Sequence, residues 1–222
     1  GGAFEANFDG NATLALRATL HAMQLNGRGG ELKTTIELGT VPGANVEYYQ
    51  PLDFRGRFFL SANVLYQRSL ARVSVPGGPV GEARVWVLQG SVDGGLSLGS
   101  FGQIHAGVFR GTGGADVLLA EAPQEDLRFD HGGLFGYAGY DTLDDLSFPR
   151  RGTSAAGRLE VFLDELGSDS TFYRLFARGI QALPLAPKTT LIASAGWEDT
   201  LGSDPPYYML FTLADFNRFS AL

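Results

Sequence analysis

The stretch Gly139-Tyr140-Asp141-Thr142-Leu143-Asp144-Asp145-Leu146-Ser147-Phe148-Pro149-Arg150-Arg151-Gly152 separates two segments that both read as strands. Before it, His131 to Asp141 is rich in glycine and aromatic residues. After it, Leu159, Val161 and Leu163 alternate with Arg158, Glu160 and Asp164. Alternation at period two marks a strand with one apolar face. Asp, Pro and Gly between two such runs stop one strand, reverse the chain and fix the register of the next. Asp141, Leu143, Asp144, Phe148, Pro149 and Gly152 are the residues expected to build that turn.

The same grammar repeats on both sides. Residues 1–8 read as a strand end closed by Asp9-Gly10-Asn11. Leu14, Leu16, Ala18 and Leu20 then oppose Thr13, Arg17, Thr19 and His21. The turn Asn26 to Gly30 leads to Leu32, Ile36 and Leu38, which oppose Glu31, Lys33, Thr35 and Glu37. Two runs of matched length around such a turn predict a hairpin. Asn45 to Gln50 and Arg57 to Leu70 flank the turn Pro51-Leu52-Asp53-Phe54-Arg55-Gly56, with Phe59 and Leu65 breaking the alternation of the second run. Val75 to Pro79 is another turn. Glu82 to Leu98 and Gln103 to Val108 follow, and residues 111–128 read as a polar loop. Tyr173, Leu175, Ala177 and Gly179 oppose Arg174 and Arg178, and Thr189 to Glu198 is the last clear strand. Residues 199–217 read as a long loop. The pattern predicts eleven strands and no helix of consequence.

Composition narrows the function classes. A net charge of −7 with no basic cluster argues against nucleic acid as a partner. The absence of cysteine removes disulfides and thiolate metal sites. No His-x-x-x-His spacing joins His21, His105 and His131, so no metal or other cofactor is expected. His21 and His105 fall on polar faces, and His131 is expected to open a strand at a loop edge. No run approaches the roughly 18 apolar residues of a membrane helix. Apolar residues spread over many short alternating segments suit a transmembrane barrel, in which every second residue faces lipid. A soluble β-sandwich or a lipocalin-like binder would show much the same composition. That alternative predicts apolar residues inside and a polar exterior.

Four segments carry a family resemblance. The string Asp141-x-Leu143-Asp144-x-x-x-Phe148-Pro149-x-x-Gly152 resembles a turn of the bacterial surface-antigen barrels, the membrane domain of the BamA/TamA family and of patatin-like autotransporters. Leu25 to Glu31 is similar to the family's glycine-rich turn. The segment Glu47-Tyr48-Tyr49-Gln50-Pro51-Leu52-Asp53, followed by Arg57-Phe58-Phe59, resembles its first well-marked periplasmic turn. Gln103 to Gly111 is similar to the strand that ends in Arg-Gly. The resemblance implies an antiparallel up-and-down barrel of about sixteen strands in the bacterial outer membrane, with about five missing here. Residues 1–222 would then be one barrel domain cut at its C-terminus and preceded in the parent protein by POTRA repeats, a passenger, or both.

It also implies a role in polypeptide translocation or insertion, or as a membrane anchor, with outer-membrane lipids and a moving polypeptide as partners. The charges Arg17, Lys33, Glu37, Glu47, Arg158, Glu160, Arg174 and Arg178 would face the lumen. Family members that insert membrane proteins carry an Arg-Gly-aromatic tip in the long sixth loop. Here Ser220 stands in the arginine's place and Ala221 in the glycine's, with Arg218 two positions early. This tip looks more like that of barrels attached to patatin-like phospholipases. The segment itself is not expected to be an enzyme. Asp93-Gly94-Gly95 matches part of a patatin site, but Gly152-Thr153-Ser154-Ala155-Ala156 lacks the last glycine of a nucleophile elbow and no helix pattern follows it.

Overall fold

The computed structural model describes residues 2–6, 12–39, 42–74, 80–117, 127–145 and 147–201. They form one antiparallel sheet of eleven strands in which sequence order and spatial order coincide. The strands are β1 (Gly2–Ala6), β2 (Ala12–Ala22), β3 (Glu31–Gly39), β4 (Gly43–Pro51), β5 (Phe58–Ser74) and β6 (Val80–Ser97). They continue as β7 (Gly102–Val117), β8 (Leu127–Asp141), β9 (Gly152–Phe162), β10 (Phe172–Ala186) and β11 (Thr189–Leu201). One 3-10 turn, Asp164–Leu166, sits between β9 and β10. Among the described residues no helix is long and apolar enough to cross a membrane, which leaves crossing by strands untouched.

Continuous register makes each face legible. One row runs Phe58, Leu96, Ile104, Ala138, Gly157, Ala177, Trp197 across β5 to β11. A second row, three residues along, runs Glu31, Tyr49, Ser61, Asp93, Gly107, Phe135, Glu160, Arg174, Thr200 from β3 to β11. The first row belongs to an outward face that leaves Leu60, Val64, Val92, Ile104, Val108, Leu159, Leu191 and Trp197 exposed. The second belongs to a concave face holding the buried polar groups Gln67, Asp93, His131 and Glu160. Apolar outside and polar within reverses the arrangement that a lipocalin-like or sandwich fold requires. The buried apolar cluster of Val85, Val87, Phe109, Phe129, Phe135, Phe162 and Phe172 also lies on the concave face. Phe162 and Phe172 stack at 4.1 Å between centroids, and Phe109 meets Phe162 edge-on at 5.1 Å.

Three expectations are corrected. The predicted polar loop at 111–128 is strand at both ends, since β7 runs to Val117 and β8 starts at Leu127, and residues 118–126 lie outside the described residues. The glycines that made 111–114 look like a loop have a packing reason. A Cβ at Gly111 would strike the His131 ring at 2.5 Å, and one at Gly113 the Phe129 ring at 2.3 Å. His131 therefore lies inside β8, with 3% of its surface exposed, and does not open a strand at a loop edge. β11 likewise continues to Leu201, past the predicted end at Glu198. The expected turns at 9–11 and 75–79 and the loop-six tip at 217–222 lie outside the described residues.

Candidate functional site

The turn between β8 and β9 is built by its carboxylates. Asp141 Oδ1 accepts the Leu143 N–H at 2.8 Å, and Asp144 Oδ1 accepts those of Arg150 and Arg151 at 2.8 and 3.2 Å. Asp145 Oδ1 takes the Ser147 and Phe148 N–H groups, both at 2.8 Å. These backbone donors hold the Asp144 and Asp145 carboxyls below the usual range. Gly152 closes the turn at φ +110°, where a Cβ would lie 2.2 Å from the Thr142 carbonyl oxygen. Pro149 is half-buried, and the Phe148 side chain projects with 82% of its surface exposed.

Two of the other quoted segments meet in space. Asn26, in the turn between β2 and β3, donates to Gln50 Oε1 at 2.6 Å, and the Tyr48 hydroxyl donates to the same oxygen at 2.7 Å. Gln50 Nε2 then donates to the Pro51 carbonyl at 2.8 Å. Tyr49 packs on Phe59 at 5.1 Å, which explains why Phe59 broke the alternation: it is a buried inward residue. Asp53 Oδ1 accepts the N–H groups of Arg57 and Phe58 at 2.7 and 3.0 Å, and these bonds lower its pKa. Leu52 is exposed beside it, its N–H bonded to the Phe58 carbonyl at 2.8 Å.

Strand pairing sets all eight charges singled out above on the concave face. Arg17 pairs with Glu37 at 2.8 Å, and Lys33 stands in register with His21 and Glu47. His21 bonds Glu31 at 2.8 Å. The densest group is on β8 to β10. Glu160 accepts from Arg158 Nε at 2.7 Å and from Arg174 Nε at 2.8 Å, with Arg174 Nη2 closing a second contact. The Arg158 guanidinium also lies 4.2 Å from the Phe135 ring centroid. Each ion is thus paired in a partly dry setting, which a buried charge requires.

These side chains border a cavity of about 430 Å³ on the concave face, lined by Glu47, Arg158, Glu160, Arg174, Arg178 and Glu198 among others. Its lining includes two groups that sequence reading did not single out for this role. His105 Nδ1 approaches Asp93 Oδ1 at 3.0 Å, close enough for charge interaction but out of line for a hydrogen bond. The His105 ring lies 4.7 Å from that of Tyr137. Alternation already sets both on polar faces, His105 opposite Ile104 and Asp93 out of phase with Leu88, Val92 and Leu96, but only the pairing of β6 with β7 brings them together. Deeper in the wall, His131 Nε2 meets Gln89 Oε1 at 3.0 Å. Asp93 and Ser154 sit within β6 and β9, so neither occupies the strand-turn-helix setting of a hydrolase nucleophile. Among the described residues no three His, Asp or Glu groups are placed to hold a metal ion.

A sheet of sequential antiparallel strands with a lipid-compatible exterior and an ion-paired interior is the wall of a transmembrane β-barrel. Residues 109–213 match the Omp85 superfamily domain, so this part of the chain is similar to that superfamily. The fold is similar to the crystal structure of BamA from Haemophilus ducreyi lacking POTRA domains 1-3, with a TM-score of 0.68 and 16% identity. The match covers 94% of this chain and 42% of that one, so the chain spans less than half of that structure's length. A search of curated proteins finds no match.

Proposed function

We propose that this wall lines a hydrated path through which polypeptide crosses or enters the outer membrane. The observation that carries the reading is the paired-charge lining of the concave cavity, with Glu160 between Arg158 and Arg174. Buried ions are expensive in a simple anchor that could be filled with apolar side chains. A water-filled lumen gives them solvent on one side, and rings of charge set what passes. In this reading Arg17, Lys33, Glu37, Glu47 and Arg178 extend the lining around the wall, and the carboxylate-tied turns at Asp53 and Asp144 hold strand register.

A second reading rests on the Ser220 and Ala221 positions, which resemble the loop tip of patatin-linked barrels. There the barrel anchors and exports a lipase, and the catalytic Gly-x-Ser-x-Gly lies upstream in the parent chain. The parent reading frame separates the two: POTRA-type repeats before residue 1 support the translocation or assembly role, and a lipase elbow supports the anchor. Function is tested by conductance of the full-length protein in planar bilayers. Stepwise currents whose selectivity shifts in Arg158→Gln support a hydrated path. A silent bilayer at saturating insertion, verified by protease protection, refutes it.

A further inference from the structure

We propose that the outward face of β5 to β8, at the end away from the short turns, binds the phosphates of a glycolipid in the outer leaflet. Four arginines face outward there on four consecutive strands: Arg68, Arg84, Arg110 and Arg128, all exposed. The described outward positions of β2, β3, β4, β9 and β10 carry no charge at all. A cationic patch on a surface otherwise selected for hydrocarbon needs an anionic partner or water.

Its position relative to the apolar belt is specific. From the turn end, β5 presents Phe58, Leu60, Ala62, Val64 and Tyr66 outward before Arg68. β6 presents Leu96, Gly94, Val92, Gly90, Leu88 and Trp86 before Arg84. The belt therefore ends in the aromatic pair Tyr66 and Trp86, and the arginines begin at once. Aromatic rings at that boundary mark headgroup depth. These strands have 15 to 18 residues, where crossing needs about 9–11. The excess lies at the arginine end. Among these four strands, β6 joins β7 through the tight connection 98–101 at the opposite end, whereas β7 joins β8 through 118–126 at the arginine end, and outer-membrane barrels keep short turns on the periplasmic side. The arginines thus stand at the outer leaflet.

Register gives the spacing. Arg68 pairs with Trp86, two residues from Arg84, which sets those Cα atoms about 8 Å apart. The row Arg68, Trp86, Gly114, Arg128 sets Arg68 and Arg128 about 14 Å apart. Such a spread suits a headgroup with more than one phosphate, each met by a guanidinium fork. Among the described residues none of the four arginines forms an ion pair. Asp130 is the one described carboxylate on this face of β5 to β8, and Asp169 approaches it from the following loop, where its Oδ2 accepts the Asp130 N–H at 2.9 Å. The Arg110 head lies against Gly167 of the β9–β10 loop and has a structural duty, so it is left out of the test.

The full-length protein in detergent is titrated with purified diphosphorylated lipopolysaccharide, its enzymatically dephosphorylated form, and phosphatidylglycerol. Wild type is compared with R68Q/R84Q/R128Q, with folding checked by heat-modifiable gel mobility. The triple variant is expected to lose at least about tenfold in affinity for the phosphorylated glycolipid. Dephosphorylation should weaken wild type by a similar factor and hardly change the variant. Equal affinity of variant and wild type, or indifference to dephosphorylation, overturns the proposal. Phosphatidylglycerol competing as well as the glycolipid overturns it too, since the face would then be a general anionic-lipid surface. Should the triple variant fail to fold, R68K/R84K/R128K takes its place: a severalfold loss supports the guanidinium forks and an unchanged affinity refutes them.

Discussion

Replacing Glu160 by glutamine keeps the side-chain shape and removes one charge from between two guanidiniums. Glu160 has 6% of its surface exposed, and the Arg174 and Arg158 side chains have 11% and 31%. Breaking a buried ion pair by neutralising one partner costs about 3–5 kcal/mol, because the other charge is left uncompensated. Arg158 keeps its contact with Phe135 and reaches cavity water, which pulls the expected cost down to about 3 kcal/mol. Arg174→Met leaves Glu160 with Arg158 and should cost less, about 1–2 kcal/mol. The double variant should cost clearly less than the sum of the two, since both remove the same interaction. Urea unfolding of the lipid-embedded full-length protein, followed by tryptophan fluorescence and gel mobility, measures all three. An E160Q protein within 0.5 kcal/mol of wild type, or strict additivity in the double variant, refutes the account of Glu160 as the ion that holds β9 and β10 together, 0.5 kcal/mol being about the effect of a surface change.

The turns should respond to acid. Asp53, Asp144 and Asp145 have depressed pKa values, so their stabilisation is complete above the unfolded value of about 4 and is lost as pH falls through the lower folded values. A pH series of refolding yields should show that acid-side loss, and Asp144→Asn should flatten it while lowering the yield at neutral pH. Gly152→Ala forces a side chain into φ +110° and against the Thr142 carbonyl, and should destabilise by at least about 2 kcal/mol in the same unfolding assay. In bilayer recordings, Arg158→Gln with Arg178→Gln should move the lumen toward cation selectivity, because Glu47, Glu160, Glu198 and Asp93 remain in the lining. An unchanged reversal potential would count against these residues as a selectivity ring.

The order of strands and their inward faces were legible because a two-residue period survives wherever one face is apolar. Leu159 against Glu160, or Ile36 against Glu37, needs no other information. Legibility failed where the outward face stopped being apolar. Arg128 and Asp130 on β8 made 127–130 resemble a loop, and Gly111 and Gly113 on β7 removed the inward side chains of the alternation. Those glycines accommodate rings from the neighbouring strand, a cross-strand relation invisible before the pairing is known. The Glu160 cluster was half legible. Alternation put its three ions on one face, but only the register Arg174–Glu160–Phe135 shows why they converge.

The sheet changes height between β8 and β9. β9 ends at Phe162 opposite Gly133, so residues 127–132 of β8 extend beyond their neighbour. The loop after β9 folds back over this overhang: the Leu163 N–H bonds Gly132 O at 3.0 Å and the Asp169 N–H bonds Asp130 O at 3.1 Å, while the Leu166 carbonyl occupies the space a side chain at Gly132 would need. The exposed edge is therefore finished rather than ragged, and the drop of six residues is about 20 Å measured along the strand. The wall has a parapet on β5 to β8 and a sill on β9 and β10. If polypeptide passes as proposed above, it would meet less of the wall above β9 and β10 than above β5 to β8.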